Sequence, residues 1–364
     1  MDISAPVRLL FFFHETTWSG APIQLYHLVT ELHARGYETA AAIPSPGAPE
    51  SGPISNLLLE TGIEVFPIVD LSTPPEMSEM AKLCRHFDVV IANTLVMWSA
   101  VQASHEAEVP VIWFIHESQV AHQLLAQNPA IQPALMIADR LVMPTHRTAQ
   151  VYRAFTECAI DVVPYGIPAA QCVPSESRKD KRMAFLLLGS YERRKGQDIF
   201  LDAITEVTAE MRELAVFRAA GRVLEKDFYE MLSRRAARIP QVEFLGALEH
   251  EDALAAIARS DVLVCASRDE TMPIAILEAM SLGKAIISTN VGGICEWLQN
   301  NLNGILVPTE SSTALAQALN HCLERPSQIA TLGKNAAETF AASFSIRRLG
   351  DTFISLIESL RRDR

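Results

Sequence analysis

Short apolar runs alternate with helix-period stretches along almost the whole 364-residue chain, and this alternation constrains the fold more than any other feature. The first half offers strands at residues 7–13, 38–43, 64–68, 88–92, 111–115, 140–143 and 161–163. Amphipathic stretches lie between them, among them 21–35, 76–86, 95–108 and 145–155. Strands separated by helices imply βαβ units and a parallel sheet covered on both faces. After Pro164 the pattern stops. The segment YGIPAAQCVPSESRKDKR is rich in Pro, Ser and charge, has no period and reads as a linker. Alternation then resumes, with strands at 183–188, 214–219, 242–245, 261–265, 285–288 and 304–307. Two α/β halves joined by a linker make a cleft the natural ligand site, outside the carboxyl ends of the strands. The tail, 343–364, carries Leu349, Phe353, Leu356, Ile357 and Leu360 at helical spacing, which predicts an amphipathic helix packed back on the body.

Composition narrows the class. Apolar residues make up 49% and charged residues 20%, an ordinary globular balance. Residues 1–170 hold 7 Lys+Arg against 17 Asp+Glu, whereas the remainder holds 24 against 26. An acidic first half disfavours nucleic acid as a partner and makes docking on anionic lipid weak at most. The more basic second half suits an anionic ligand. Cys84, Cys158, Cys172, Cys265, Cys295 and Cys322 stand far apart with no CxxC pair, which suggests reduced thiols, not a disulfide frame or zinc site. The first apolar run is broken by Arg8 and followed by His14 and Glu15, so it reads as a strand, not a secretion signal. No uncharged run is long enough to span a membrane. A cytoplasmic protein is expected.

The most specific segment is 267–293, SRDETMPIAILEAMSLGKAIISTNVGG. A strand ends near Cys265, a loop follows, and Pro273 is placed to be the first residue of a helix that runs to Leu282 and stops at Gly283. The start of such a helix binds anions through its backbone amides and dipole. Glu270 precedes the helix, and Glu278 is the one ionisable residue in IAILEAMSL. Glu278 either forms a narrow polar stripe with Ser281 or serves a ligand.

The Glu-x7-Glu spacing, with EAM inside it and TNVGG after it, resembles the retaining glycosyltransferases of family 4 (glycosyl transferases group 1). Their GT-B fold sets two Rossmann-like domains across a cleft. The resemblance implies an acceptor domain at 1–170, a nucleotide-sugar donor domain at 171–342, and a helix at 343–364 crossing back to the first domain. It implies that Glu278 binds the nucleotide ribose, and that Glu270, with the backbone of Thr271, Met272, Pro273 and Ile274, holds the donor sugar and distal phosphate. LLLGSYERRKGQD resembles the family's basic loop. Lys195 matches the lysine that neutralises the leaving diphosphate, Gly189 matches the first glycine, and Ser190 stands where an arginine is usual. Either Arg193 or Arg194 supplies the second charge. Gly221 and Leu245 match strand ends that flank the nucleotide base. In the first half, TWSGAP resembles the glycine loop, with Gly20 next to the reacting sugar and Ser19 in place of a first glycine. His116 in FIHES matches a histidine near the anomeric centre, and Tyr165 in VPYGI replaces an asparagine. Trp18, Asn93, Trp98 and His122 have the aromatic faces and polar tips that suit an acceptor.

The implied reaction moves a sugar from a nucleotide-diphosphate sugar (UDP- or GDP-linked) to a hydroxyl of a carbohydrate or glycoconjugate acceptor. The resemblance implies catalytic roles for His116, Lys195 and Glu270. No cofactor or metal is expected: Asp-x-Asp is absent, as is a G-x-G-x-x-G after a strand. Competing readings are a phosphorylase or epimerase of the same architecture, or a degenerate domain that binds a sugar nucleotide without turning it over.

Overall fold

The computed structural model describes residues 6–362 except 46, 49, 70–73, 119 and 171–179. The central part of the expected linker, with Cys172, therefore lies outside the described residues. The chain forms two compact units, Met1–Pro168 with Ser345–Arg364, and Ala169–Phe344.

The first unit is built on seven strands: β1 (Arg8–Phe12), β2 (Glu38–Pro44), β3 (Glu64–Ile68), β4 (Val89–Asn93), β5 (Val111–Phe114), β6 (Arg140–Met143) and β7 (Ile160–Val162). They lie in the order β3-β2-β1-β4-β5-β6-β7, all parallel. Strands β4 and β5 are buried along their whole length, which is why they read as unbroken apolar runs. The helices are α1 (Gly20–Ala34), α2 (Pro53–Glu60), α3 (Pro74–Cys84), α4 (Trp98–Glu106), α5 (Ala121–Gln127), α6 (Ile131–Ile137) and α7 (His146–Tyr152). The expected single stretch 95–108 is divided: Leu95–Met97 form a 3-10 turn, and α4 starts at Trp98. Thr94, just before the turn, has φ +71°, a conformation no helix can continue from.

The second unit carries β8 (Met183–Leu188), β9 (Ala215–Ala220), β10 (Val242–Gly246), β11 (Val262–Cys265), β12 (Ala285–Thr289) and β13 (Ile305–Val307). Their order is β10-β9-β8-β11-β12-β13, again all parallel. Its helices are α8 (Gln197–Glu206), α9 (Ala209–Arg212), α10 (Lys226–Ala236), α11 (His250–Arg259), α12 (Ile274–Ser281), α13 (Ser312–Glu324) and α14 (Pro326–Ser343). Phe185 and Phe217 stack 5.3 Å apart in its core.

The last helix, α15 (Ile346–Arg362), belongs to the first unit. It buries Leu349, Phe353, Ile357 and Leu360, and it packs on α1. Arg35 of α1 donates to the Asp351 carboxylate at 2.6 Å and to the Arg347 carbonyl at 2.7 Å. Phe353 is fully buried, its ring 5.4 Å from Phe114 of β5. Phe353→Ala should cost about 3–5 kcal/mol, the usual penalty for emptying a buried aromatic site. Denaturant unfolding of both proteins reads that loss; a change below about 1 kcal/mol would mean that α15 contributes little to the first unit.

Candidate active site

Each sheet has one place where strand order reverses, β1/β4 in the first unit and β8/β11 in the second. The loops leaving the two central strands turn to opposite faces there, and the crevice between them is where open α/β sheets bind ligands. In the second unit the loop after β8 carries Gly189 to Lys195, and the loop after β11 carries Ser267 to Pro273. Two glycines bring the backbone close enough. Gly196 sits at φ +69° with no room for a Cβ against the Ala266 carbonyl. Gly292, at φ +52°, lies equally close to the Glu270 carbonyl.

Charged groups converge on this point. Glu270 is 7% exposed. Its Oε1 accepts from the Lys195 ammonium and from Ser267 Oγ at 2.9 Å, and its Oε2 lies 3.5 Å from the Arg194 guanidinium. Burial, with Glu270 adding to it, raises the neighbouring Asp269 carboxyl, and the backbone carbonyl of Asp269 accepts from Arg194 at 3.2 Å. The adjacent arginines of the 193–195 turn diverge. Arg193 turns toward Glu225, 3.7 Å away, and lies over the Phe228 ring, whereas Arg194 faces Glu270. Ser190 donates to Glu192 at 2.6 Å, and Arg194 donates to the same carboxylate at 2.9 Å. Burial alone would raise Glu192; the Ser190 hydrogen bond and the Arg194 charge bring it below the ordinary carboxylate range. Arg268 clamps the β11 loop to α8, its two terminal nitrogens 3.0 and 2.9 Å from the Asp198 carboxylate oxygens.

Helix α12 starts one residue later than expected. Pro273 has ψ 127° and is the N-cap, because extended backbone there closes the β11 loop before the helix begins. The helix ends at Ser281, with Gly283 at φ +64° beyond it. In its first turn the Ile276 amide donates to the Pro273 carbonyl at 3.1 Å, and the positive end of the helix dipole lies at this start. A small concavity of about 20 Å³, partly open to solvent, is lined by Leu188, Lys195, Ser267, Glu270, Pro273 and Ile276. Two cationic side chains, a hydroxyl, a carboxylate and a helix N-terminus meet here, a set of groups chemically suited to a polyanion that carries hydroxyl groups.

Further out, Gly189 follows β8 and its amide donates to the Ala220 carbonyl at 2.9 Å, and Gly221 passes tightly against the Gly189 carbonyl. Leu245 on β10 is 37% exposed. The Thr271 carbonyl accepts from Gly293 at 2.9 Å, Met272 is buried, and Ile274 opens α12. Glu278, at 7% exposure, does not join Ser281 in a solvated stripe; its Oε1 accepts from His250 Nε2 at 2.7 Å.

In the first unit, His116 follows β5 and is 6% exposed. Asn93, fully buried at the end of β4, donates its amide to the Ala21 carbonyl at 3.2 Å and so turns its oxygen toward His116 Nε2, 2.6 Å away. Nε2 therefore carries the proton, and Nδ1 accepts from the Tyr165 hydroxyl at 2.8 Å. Any role that needs a ring nitrogen of His116 requires one of these bonds to open. Gly20 begins α1 and is exposed; Ser19 caps it and donates to Glu15 at 2.5 Å. Trp18 is half-buried against Tyr26, Trp98 packs on the core, and His122 lies exposed beside Phe155.

Residues 6–162 match the family described as glycosyl-transferase family 4, and residues 173–339 match glycosyl transferases group 1. The chain belongs to the family 4, group 1 glycosyltransferases. It is 25% identical over 181 residues to the alpha-D-kanosaminyltransferase of Streptomyces kanamyceticus, an alignment covering 50% of this chain and 47% of that protein. It is 26% identical over 251 residues to the D-rhamnosyltransferase WbpZ of Pseudomonas aeruginosa, covering 65% and 64%. These alignments thus span about half to just under two thirds of those relatives. In fold it is similar to the Anabaena protein HepE, crystallised with UDP, at a TM-score of 0.84 and 19% identity, covering 98% of this chain and 100% of that one. The two-domain α/β architecture is that of GT-B glycosyltransferases.

Within this family 4 chain, sequence reasoning missed four residues that hold the candidate site. Arg268 and His250 meet their partners only through tertiary contacts, Ser267 turns its hydroxyl onto Glu270 three residues along the chain, and Tyr165 was noted only as a departure from the usual asparagine. Among the described residues, no three His, Cys, Asp or Glu side chains form a metal-ligating group. Cys84, Cys158, Cys265, Cys295 and Cys322 are free thiols. No helix among the described residues is long and apolar enough to cross a membrane.

Burial, reinforced by the charge of His14, lowers His116 from 6.5 to about 3. The unfolded chain takes up this proton near pH 6.5 and the folded chain does not, so stability falls as pH drops through the window from about 6.5 to 3. The slope contributed is about 1.4 kcal/mol per pH unit. Unfolding of the native protein and of His116→Gln between pH 7 and 4 should show a shallower acid loss in the variant. Equal slopes would mean that His116 titrates normally in the fold.

Proposed function

We propose that the protein transfers a glycosyl group from a nucleotide-diphosphate sugar to a hydroxyl of a carbohydrate or glycoconjugate acceptor, with retention of anomeric configuration and without a metal. One observation carries this reading: Lys195, Arg194, Glu270 and the start of α12 converge where the strand order of the second unit reverses. In the mechanism, the donor diphosphate takes the place of Glu270 beside Lys195 and Arg194, and the α12 amides receive its distal phosphate. Bond cleavage concentrates charge on the leaving phosphate oxygen, where these fixed positive groups stabilise it more than they do the ground state. Glu270, displaced from Lys195, accepts hydrogen bonds from sugar hydroxyls as the anomeric carbon becomes cation-like. Glu278 holds the ribose. Among the described residues, no carboxylate is assigned as a nucleophile, which favours attack by the acceptor on the same face that the diphosphate leaves. His116, as a neutral ring, is assigned the first unit's part in catalysis. The first unit would receive the acceptor, with Gly20, Trp18, Trp98 and His122 on its side of the reaction. The donor base is uridine or guanosine, and the HepE complexes with UDP and UDP-glucose make uridine the first to try. The acidic first half argues for a cytoplasmic enzyme with weak membrane contact at most.

Lys195→Ala should lower turnover by ~10²-fold or more, the effect of removing one preorganised charge-stabilising group. Steady-state rates within threefold of the native enzyme would place the neutralising charge elsewhere. Activity should persist in excess EDTA; loss that Mn²⁺ restores would refute the metal-free mechanism. Glu278→Gln should raise the donor KM and weaken nucleotide-diphosphate binding with little change in kcat. Glu270→Gln should lower kcat without weakening binding of the sugar-free product, because it removes the carboxylate that competes for Lys195 and Arg194. Calorimetry and kinetics on both variants separate the two roles.

A further inference from the structure

A carboxylate as buried as Glu278 needs a hydrogen-bonding partner, and its partner here comes from a different crossover helix. Glu278 lies inside α12, after β11, whereas His250 is the first residue of α11, after β10. The 2.7 Å bond joins Glu278 Oε1 to His250 Nε2, which must donate because an ionised carboxylate only accepts. His250 keeps 31% of its side chain exposed and Glu278 9%, so the pair sits at the edge of the site. A second link, from Lys284 Nζ to the Ala258 carbonyl at 2.6 Å, ties the far end of α11 to the chain leaving α12. The α11–α12 junction is therefore fixed at both ends.

We propose that His250 is a positioning residue for nucleotide recognition. By taking one lone pair of Oε1, it fixes the plane of the Glu278 carboxylate, leaving Oε2 and the remaining lone pair of Oε1 for the two vicinal hydroxyls of a ribose. The site thereby distinguishes ribonucleoside from 2′-deoxyribonucleoside diphosphates. A carboxylate free to rotate would meet the diol at an entropic disadvantage and would accept a single hydroxyl almost as well. This inference rests on the ribose role of Glu278.

Its test is calorimetric binding of UDP and 2′-deoxy-UDP, with GDP and 2′-deoxy-GDP as the alternative pair, to the full-length protein. His250→Leu, His250→Gln, Glu278→Gln and the His250→Leu/Glu278→Gln double variant are compared with the native chain. The native protein should prefer the ribonucleotide by about tenfold or more. His250→Leu should weaken ribonucleotide binding ~10-fold, as expected for losing a hydrogen bond to a charged group, and bring the two nucleotides toward equal affinity. It should raise the donor KM with kcat nearly unchanged. His250→Gln, which keeps an N–H donor, should recover most of both effects. In the Glu278→Gln background, His250→Leu should add less than twofold. If neither UDP nor GDP binds, or if Glu278→Gln leaves affinity unchanged, the ribose reading itself falls. If Glu278→Gln weakens binding but His250→Leu stays within twofold of native, or acts equally in both backgrounds, the positioning role of His250 is overturned. Thermal unfolding of each variant shows whether the fold is kept; a destabilised His250→Leu leaves the decision to His250→Gln, whose failure to discriminate against the deoxynucleotide would overturn the proposal.

Discussion

Much of the second unit depends on how closely two loops pass where β8 and β11 lie side by side. Parallel strands whose crossovers leave in opposite directions open a crevice between them, and its width is set by backbone contacts. Gly196 lets the turn after β8 press on the Ala266 carbonyl, and Gly292 lets the loop after β12 press on that of Glu270. The Arg268–Asp198 fork then locks the β11 loop to the first turn of α8. Lys195 and Glu270 face each other because these contacts leave little freedom in either loop. A side chain at either glycine would displace the carbonyl beneath it and shift the charges by more than a hydrogen bond tolerates.

The two kinds of ion pair at this site do different work. Arg268 and Asp198 meet through two nitrogens and two oxygens, and they set geometry permanently. Among the described residues, Glu270 pairs with Lys195, Ser267 and Arg194, beside a small concavity. A buried pair gains little over well-packed apolar side chains, and leaving either charge alone costs several kcal/mol. Such a pair suits groups that must stay charged and positioned until a ligand takes over one side of it. Glu192, held ionised by Ser190 and Arg194, keeps the guanidinium oriented in the meantime.

Most strands were legible because a strand buried on both faces leaves a continuous apolar run in the sequence, and predicted and observed ends differ by a residue or so. Helices α5 and α6 were not, since seven residues make barely two turns and show no clear period. The division of 95–108 was hidden because it depends on the conformation of Thr94, where the carbonyl accepts from Trp113 Nε1 at 2.6 Å and the next amide donates to Glu117 at 2.9 Å. At the candidate site, glutamate spacing and the lysine before a glycine carried the prediction, because local motifs survive in sequence. The choice between Arg193 and Arg194 did not. Neighbours on a 3-10 turn point in different directions, and only tertiary partners reveal which one faces Glu270. Asn93 likewise looked like an acceptor-side residue, whereas it is enclosed and orients His116.

The assignment of α15 to the first unit has a consequence for biosynthesis. The ribosome releases residues 1–168 first, but the helix that supplies Phe353, Ile357 and Leu360 to that core emerges only after the entire second unit. The second unit is one uninterrupted segment and can close as soon as it leaves the exit tunnel. The earlier segment must meanwhile leave Phe114 and one side of α1 without their covering helix, so it matures last although it is made first. A chain released before residue 345 would carry a complete second unit and expose sticky surface to chaperones on its amino-terminal part. An attempt to excise that part as a stand-alone fragment would succeed only if the tail were spliced on directly.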